Sequence, residues 1–360
     1  MQSATRPAAH GPAGRRPRLA RALHRAGALP WIGRLRGAFR GDVRILAYHR
    51  VLESIEPDGF RFDLDLISAS AEAFRRQLAI VRRRFAPMRF DELLDCIDRG
   101  RPVPRRAVLI TFDDGYDDNR RIAFPLLRDA GLSAMFFVST GHIDSGRPYA
   151  YDWLVHMLCT RDVARIVAPE VGIDEAMPAD LASRRALASR VLDRIKLLGA
   201  DAQQAFIDRL QRDWAMPADA GHPDCRPMGW AQVREMRDGG MEIGGHGVDH
   251  RMLAKMTPQA MREEIAVSFA TLSRELGAPP LAMSYPVGGT DAYDDSVAAA
   301  AREAGFRLAC SYLAGPEPLR ADTRYAMQRM PVEREMSDAW FEAMLSWPEA
   351  FCYRSRSRRG

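Results

Sequence analysis

The run Ala107-Val108-Leu109-Ile110-Thr111-Phe112 constrains this chain more than any other segment. Six apolar or β-branched residues in succession fit a strand buried on both faces, as strands of parallel sheets are. The run stops at Asp113-Asp114-Gly115, a helical stretch closes at Gly131, and residues 133–139 (SAMFFVS) form a second buried run. Strand, helix and strand at this spacing make a βαβ unit, so the expected class is α/β.

The same alternation continues on both sides. Strands are predicted at 43–48, 241–244, 281–285 and 306–311. Helices are predicted at 71–84, 90–99, 230–238 and 296–304, and a further one runs from Pro258, capped by Thr257, to Leu276. Residues 142–226 break the pattern. They are polar, rich in Ala and Arg, helical in period and without a clear buried strand, and read as a helical insertion. The plan is therefore an arm over 1–42, an α/β body over 43–335 that carries the insertion, and a helix with an Arg-rich tail over 336–360.

Charge is segregated along the chain. Residues 1–41 hold nine arginines and no acid, and Arg354, Arg356, Arg358 and Arg359 lie in the tail, which leaves residues 42–353 at −8 within a net charge of +5. A nucleic-acid partner is set aside, because the basic character belongs to the ends and no binding motif accompanies it. Residues 1–18, rich in Pro, Gly, Ala and Arg, are expected to be disordered. Beyond them Leu19, Leu23 and Ala26, then Ile32, Leu35 and Phe39 with Trp31 beside them, fall at helical spacing among arginines. Such a stripe suits either peripheral contact with an anionic membrane or docking on the body. No apolar run is long enough for a membrane span, and the basic start lacks a compact apolar segment after it, so a cytoplasmic location is expected. The five cysteines are scattered and form no C-x-x-C pair, which favours free thiols.

Three clusters lie just past the carboxyl ends of predicted strands, where α/β barrels build their sites. In Asp113-Asp114, two adjacent carboxylates after a buried strand are costly unless a cation or separate tasks divide them. In His246-Gly247-Val248-Asp249-His250, two imidazoles four residues apart on a glycine-rich loop can chelate one ion. With a carboxylate they leave positions open for water and substrate. In Ser284-Tyr285-Pro286-Val287-Gly288-Gly289, a strand enters a tight turn where a backbone N–H can face a developing oxyanion. Each alone also reads as an ordinary turn.

Together the motifs T-F-D-D-G, H-x-x-x-H and Y-P-x-G, in that order over roughly 45–332, resemble the NodB-like polysaccharide deacetylases, carbohydrate esterase family 4. The resemblance implies a deformed (β/α) barrel with the helical insertion unmatched. It makes Asp113 the general base and has Asp114, His246 and His250 hold a divalent metal ion, zinc first, with cobalt or nickel as alternatives. Tyr285, through its N–H, and Pro286 fall at the substrate and oxyanion position. The substrate class it implies is an N-acetylated glycan or a lipid-linked sugar. Two family features are missing: an arginine that orients the base, where this chain has Met283-Ser284, and a C-terminal histidine that serves as acid. The opening Tyr48-His49-Arg50-Val51 is similar to that of the poly-N-acetylglucosamine deacetylases, in which the acid moves to the first strand. His49 is then the acid, or else a structural histidine at a strand end. Arg329 is the candidate replacement for the arginine, or else part of a surface ion pair. Tyr149-Ala150-Tyr151-Asp152-Trp153 either lines a sugar site or packs the insertion. The rival readings are a degenerate barrel that binds glycan without cutting it, with His49 turned away, and an amidohydrolase for a small non-sugar amide.

Overall fold

The computed structural model describes residues 14–216, 222–320 and 322–352. Among these, seven strands close a parallel barrel: β1 (Asp42–Tyr48), β2 (Ala107–Phe112), β3 (Met135–Val138), β4 (Glu242–Gly245), β5 (Ala282–Ser284), β6 (Leu308–Ala314) and β7 (Met327–Pro331). Each pairs with the next in chain order, and β7 returns to β1 through Leu46–Met330 and Ala47–Pro331. Helices α1 (Arg15–Arg25), α2 (Leu29–Phe39), α3 (Ala71–Arg84), α4 (Phe90–Asp98), α5 (Phe124–Ala130), α6 (Ala150–Thr160), α7 (Leu181–Ile195), α8 (Ala200–Asp213), α9 (Trp230–Asp238), α10 (Pro258–Leu276), α11 (Asp295–Ala304) and α12 (Asp338–Ser346) surround it or build the insertion. This is the deformed (β/α) barrel expected.

The two-residue strand period divides the side chains. Val43 and Ile45 of β1, Ala107 and Leu109 of β2, Met135 and Phe137 of β3, Ala282 of β5, Leu308 and Cys310 of β6 and Met327 of β7 share one cluster inside the barrel. The alternate residues Leu46, Tyr48, Val108, Ile110, Phe112, Phe136, Val138 and Met330 join a second cluster beneath the helices. The interior is tight. A Cβ on Gly244 would lie 2.6 Å from both the Phe137 ring and the Ala282 carbonyl oxygen.

Three features depart from expectation. Strand β7 was not foreseen, because its short Met-Gln-Arg-Met-Pro run carries polar and charged residues where a buried strand should be apolar. The insertion also holds an antiparallel hairpin, Arg165–Ala168 with Ile173–Ala176, whose four-residue alternation is too brief to stand out. Its own core includes Trp153, Leu154, Ile166, Ile173, Val191 and Phe206. The disorder expected over 1–18 fails from Arg15 onward, where α1 begins; residues 1–13 lie outside the described residues, as does the tail from 353. The arm packs on the body, one of the two placements its apolar stripe allowed. Ala20 and Leu29 are buried in one cluster with Trp340, Phe341, Met344 and Leu345, and His24 Nδ1 lies 2.7 Å from Glu342. Arg36 pairs with Asp42 and Glu349, and Arg16 donates to the Ala350 carbonyl. Cys96, Cys159, Cys225 and Cys310 carry free thiols, as their spacing led us to expect.

Candidate metal and active site

The inward rows of the strands continue past the apolar layers. On β2 the row Ala107, Leu109, Thr111 leads to Asp113. On β1 the row Val43, Ile45, Ala47 leads to His49. By the same count His246 follows Gly244 on β4, Ser284 follows Ala282, Tyr312 follows Cys310, and Arg329 follows Met327. One period therefore brings six polar or aromatic side chains to the carboxyl end of the barrel, where dispersed strands converge.

Arg329 and Asp113 form the centre. Nη1 and Nη2 of Arg329 donate to Oδ1 and Oδ2 of Asp113, each at 2.7 Å, and both side chains are buried. The remaining guanidinium donors are also engaged: Nε with the Ser311 carbonyl at 2.8 Å, Nη1 with Thr111 Oγ1 at 3.1 Å, and Nη2 with Ser284 Oγ at 2.8 Å. Burial opposes ionisation of Asp113, but the Arg329 cation and His246 outweigh it and hold the carboxyl below its usual range. Arg329 thus lies inside the barrel and in no surface ion pair. The serine at the position where the family arginine was missed contributes the hydroxyl that Arg329 also grips.

Asp114 turns the other way because its backbone is left-handed, with φ +75°. Its buried Oδ1 has no hydrogen bond to any described residue, while Nε2 of His246 and Nε2 of His250 face it at 3.4 and 3.2 Å. The three donor atoms lie within 4.8 Å of one another, a set that fits a divalent cation. His246 Nδ1 lies 2.7 Å from the Ser284 carbonyl, which can only accept, so the proton sits on Nδ1 and Nε2 presents its lone pair. Burial disfavours the charged form of His246, yet the two carboxylates prevail and raise its pKa. Burial works against the charged form of Asp114 as well, but His246 and His250 outweigh it and hold this carboxyl well below the usual range.

The loop that carries His250 is fixed from behind. Glu264 Oε1 accepts the N–H groups of Val248 and Asp249 at 2.9 and 2.7 Å. His250 is itself left-handed, φ +54°, as is Val287 in the third loop, φ +62°, where Gly288 N–H closes a three-residue turn on the Pro286 carbonyl at 2.7 Å. Asp114, His250 and Val287 are three of five described non-glycine residues with positive φ, so backbone strain gathers in these loops.

His49 stands on the same rim. Its N–H donates to Ser68 Oγ at 3.0 Å, Asn119 Nδ2 donates to its carbonyl at 2.8 Å, and its ring meets Tyr312 edge-on at 5.4 Å. Burial lowers its pKa, and the fields of Asp114 and Asp113 partly restore it. The Tyr285 expectation needs correction. Its N–H donates to the Cys310 carbonyl at 3.0 Å, extending the ladder between β5 and β6, and is not directed at an oxyanion. The Tyr285 ring is buried against Tyr293, with its hydroxyl on the Tyr325 carbonyl. Pro286, which has no N–H, is buried beside Gly247. Of the aromatic run in the insertion, Tyr149 donates to the Asp114 carbonyl at 2.5 Å and Tyr151 lies near His250, while Trp153 enters the insertion core.

Sequence reasoning gave Ser284 no role of its own within the third cluster and passed over Tyr312 and Glu264. The first two were reachable through the strand period. Glu264 lies in α10, and nothing local marks it.

Comparison with known proteins agrees with this geometry. Residues 100–309 match the family model described as polysaccharide deacetylase. The chain is 30% identical over 240 residues to YxkH of Bacillus subtilis (strain 168), a relative named for the same family; the match covers 67% of this chain and 56% of that protein's length. The deacetylase PplD of Streptococcus pyogenes shares the fold, with TM-score 0.55, 17% identity, and 82% and 95% of the two chains covered. So does IcaB from Ammonifex degensii, at 0.52, 19%, 86% and 97%. The chain belongs to the polysaccharide deacetylase family.

Proposed function

We propose that this protein is a metal-dependent hydrolase of carbon–nitrogen, non-peptide bonds that removes N-acetyl groups from an amino-sugar polysaccharide or a lipid-linked sugar, in surface or exopolysaccharide metabolism. The observation that carries the reading is the set of buried Asp114 and His246 with half-buried His250, beside an Asp113 carboxylate held ionised by Arg329. A divalent cation bound there, with zinc the first choice, supplies a Lewis acid for the acetamide oxygen and for water. Asp113 takes the proton from water as the new C–O bond forms, and Arg329 fixes the direction of its free lone pairs. His49 gives a proton to the nitrogen as the C–N bond breaks, which releases acetate and a free amine. The lowered pKa of His49 makes it a ready donor once protonated.

The degenerate-barrel reading rested on a missing arginine and a His49 turned away. Arg329 on Asp113, and the place of His49 at the end of the inward row of β1 with its ring against Tyr312, weigh against it. We keep the expected cytoplasmic location, at the inner face of the membrane, as part of this proposal. The test is acetate release from N-acetylglucosamine oligomers by the wild type, the chelated protein and Asp113→Asn. Undiminished activity after chelation, or in Asp113→Asn, would sink the scheme.

A further inference from the structure

We infer that the outer face of α2 seats the protein on an anionic lipid surface. Two glycines press the inner face of this helix onto the body. A Cβ on Gly33 would meet the Ser346 side chain at 3.3 Å, and one on Gly37 would meet that of Arg106 at 2.9 Å. Leu29 is buried on the same side, and Ile32 packs partly buried against the core. What is left outside is Trp31, Leu35 and Phe39, 69%, 66% and 80% exposed. Their spacing of four residues lays them in one line along the helix. Leu19 of α1 is also exposed, so half of the large hydrophobic side chains exposed among the described residues fall within 21 positions.

Scattered exposed apolar residues need no explanation, but a line of three at this exposure does. The charge around it identifies the occupant. Arg15, Arg18, Arg25, Arg34 and Arg40 are exposed on α1, on α2 and at its end, no acid occurs before Asp42, and the Arg34 guanidinium stacks over Trp31 at 5.2 Å. Cations beside an aromatic and aliphatic ridge match phosphate headgroups above an acyl boundary. A fluid surface also accepts a ridge one side chain wide, whereas a protein partner would need a matching groove and a far larger complementary area. No described helix is long and apolar enough to cross a membrane, so the contact is peripheral. Phe39 lies three residues before β1, at the amino ends of the strands. Docking there leaves the candidate site, at their carboxyl ends, clear.

The test is sedimentation of the full chain with vesicles of equal parts phosphatidylglycerol and phosphatidylcholine, and with vesicles of phosphatidylcholine alone. Binding to the first and not the second is expected, weakening as salt is added. Two variants accompany it: Trp31→Ser/Leu35→Ser/Phe39→Ser, and Arg34→Glu/Arg40→Glu. All five positions are exposed, so circular dichroism should match the wild type while partitioning falls at least about tenfold in each. The proposal is overturned if the wild type ignores the mixed vesicles or binds both kinds equally, or if the serine variant binds unchanged. It is also overturned if light scattering finds a dimer that the serine variant abolishes, since a second copy would then cover the ridge.

Discussion

Arg329, on the last barrel strand, closes two parallel hydrogen bonds of 2.7 Å on Asp113, 216 residues earlier in the chain, with neither side chain exposed to solvent. Removing one partner of such a pair leaves an uncompensated buried charge. Arg329→Met should therefore lose about 3–5 kcal/mol of stability, together with most deacetylase activity. Adding Asp113→Asn should recover much of the stability and none of the activity. Urea titration and acetate release on the three variants check both statements.

The cation set gives a second expectation. Chelation should abolish acetate release and lower the melting temperature, because only the folded state assembles the three donors, and added zinc should restore both. Asp114→Ala should show no such response by calorimetric titration with zinc.

Glu264 is expected to act on the site without touching a ligand atom. Glu264→Ala leaves the Val248 and Asp249 N–H groups without their acceptor and frees the loop that positions His250. Metal affinity should fall about 10- to 100-fold, as for other outer partners of metal ligands. Glu264→Gln, which keeps an acceptor oxygen, should lose less. Zinc titration of the two variants decides it.

His49 should matter only where a poor leaving group needs a proton. His49→Gln should lower kcat on an N-acetyl sugar by about 10²- to 10⁴-fold and leave zinc binding intact. An aryl acetate, whose phenolate departs unaided, should be cleaved at close to the wild-type rate. An equal loss on both substrates would refute the acid role.

A pH limb should come from the insertion as well as from the site. His156 is stacked between Phe62 and Trp153, and burial, with His222 nearby, lowers its pKa from 6.5 to about 4. The unfolded chain then binds the extra proton between those values, so this contribution is complete above pH 6.5 and is lost as pH falls toward 4. The loss is below about 3 kcal/mol, because solvent screens a ring that is only partly enclosed. His156→Phe keeps the stack and should make stability fall less steeply over that interval, as followed by thermal melts at a series of pH values.

Much of this was legible in the chain. Mostly apolar runs located six of the seven barrel strands, because a strand buried on both faces is largely apolar. Asp113, Asp114, His246 and His250 were legible because they cluster within single loops. Arg329 and Tyr312 were harder, since each stands alone in its segment and acquires meaning only from neighbours on other strands.

By itself the sequence determined the α/β class, the order of the first six parallel strands and the donor types for a cation, all of which follow from local period and spacing. Only the tertiary structure decided which lone residues meet. Barrel closure brings β7 against β1 and sets Arg329 on Asp113. The ladder with β6 claims the Tyr285 N–H, which no local pattern could reveal. The glycine face of α2 turns Ile32 inward and Trp31 outward, because close packing favours the side with no side chain to displace.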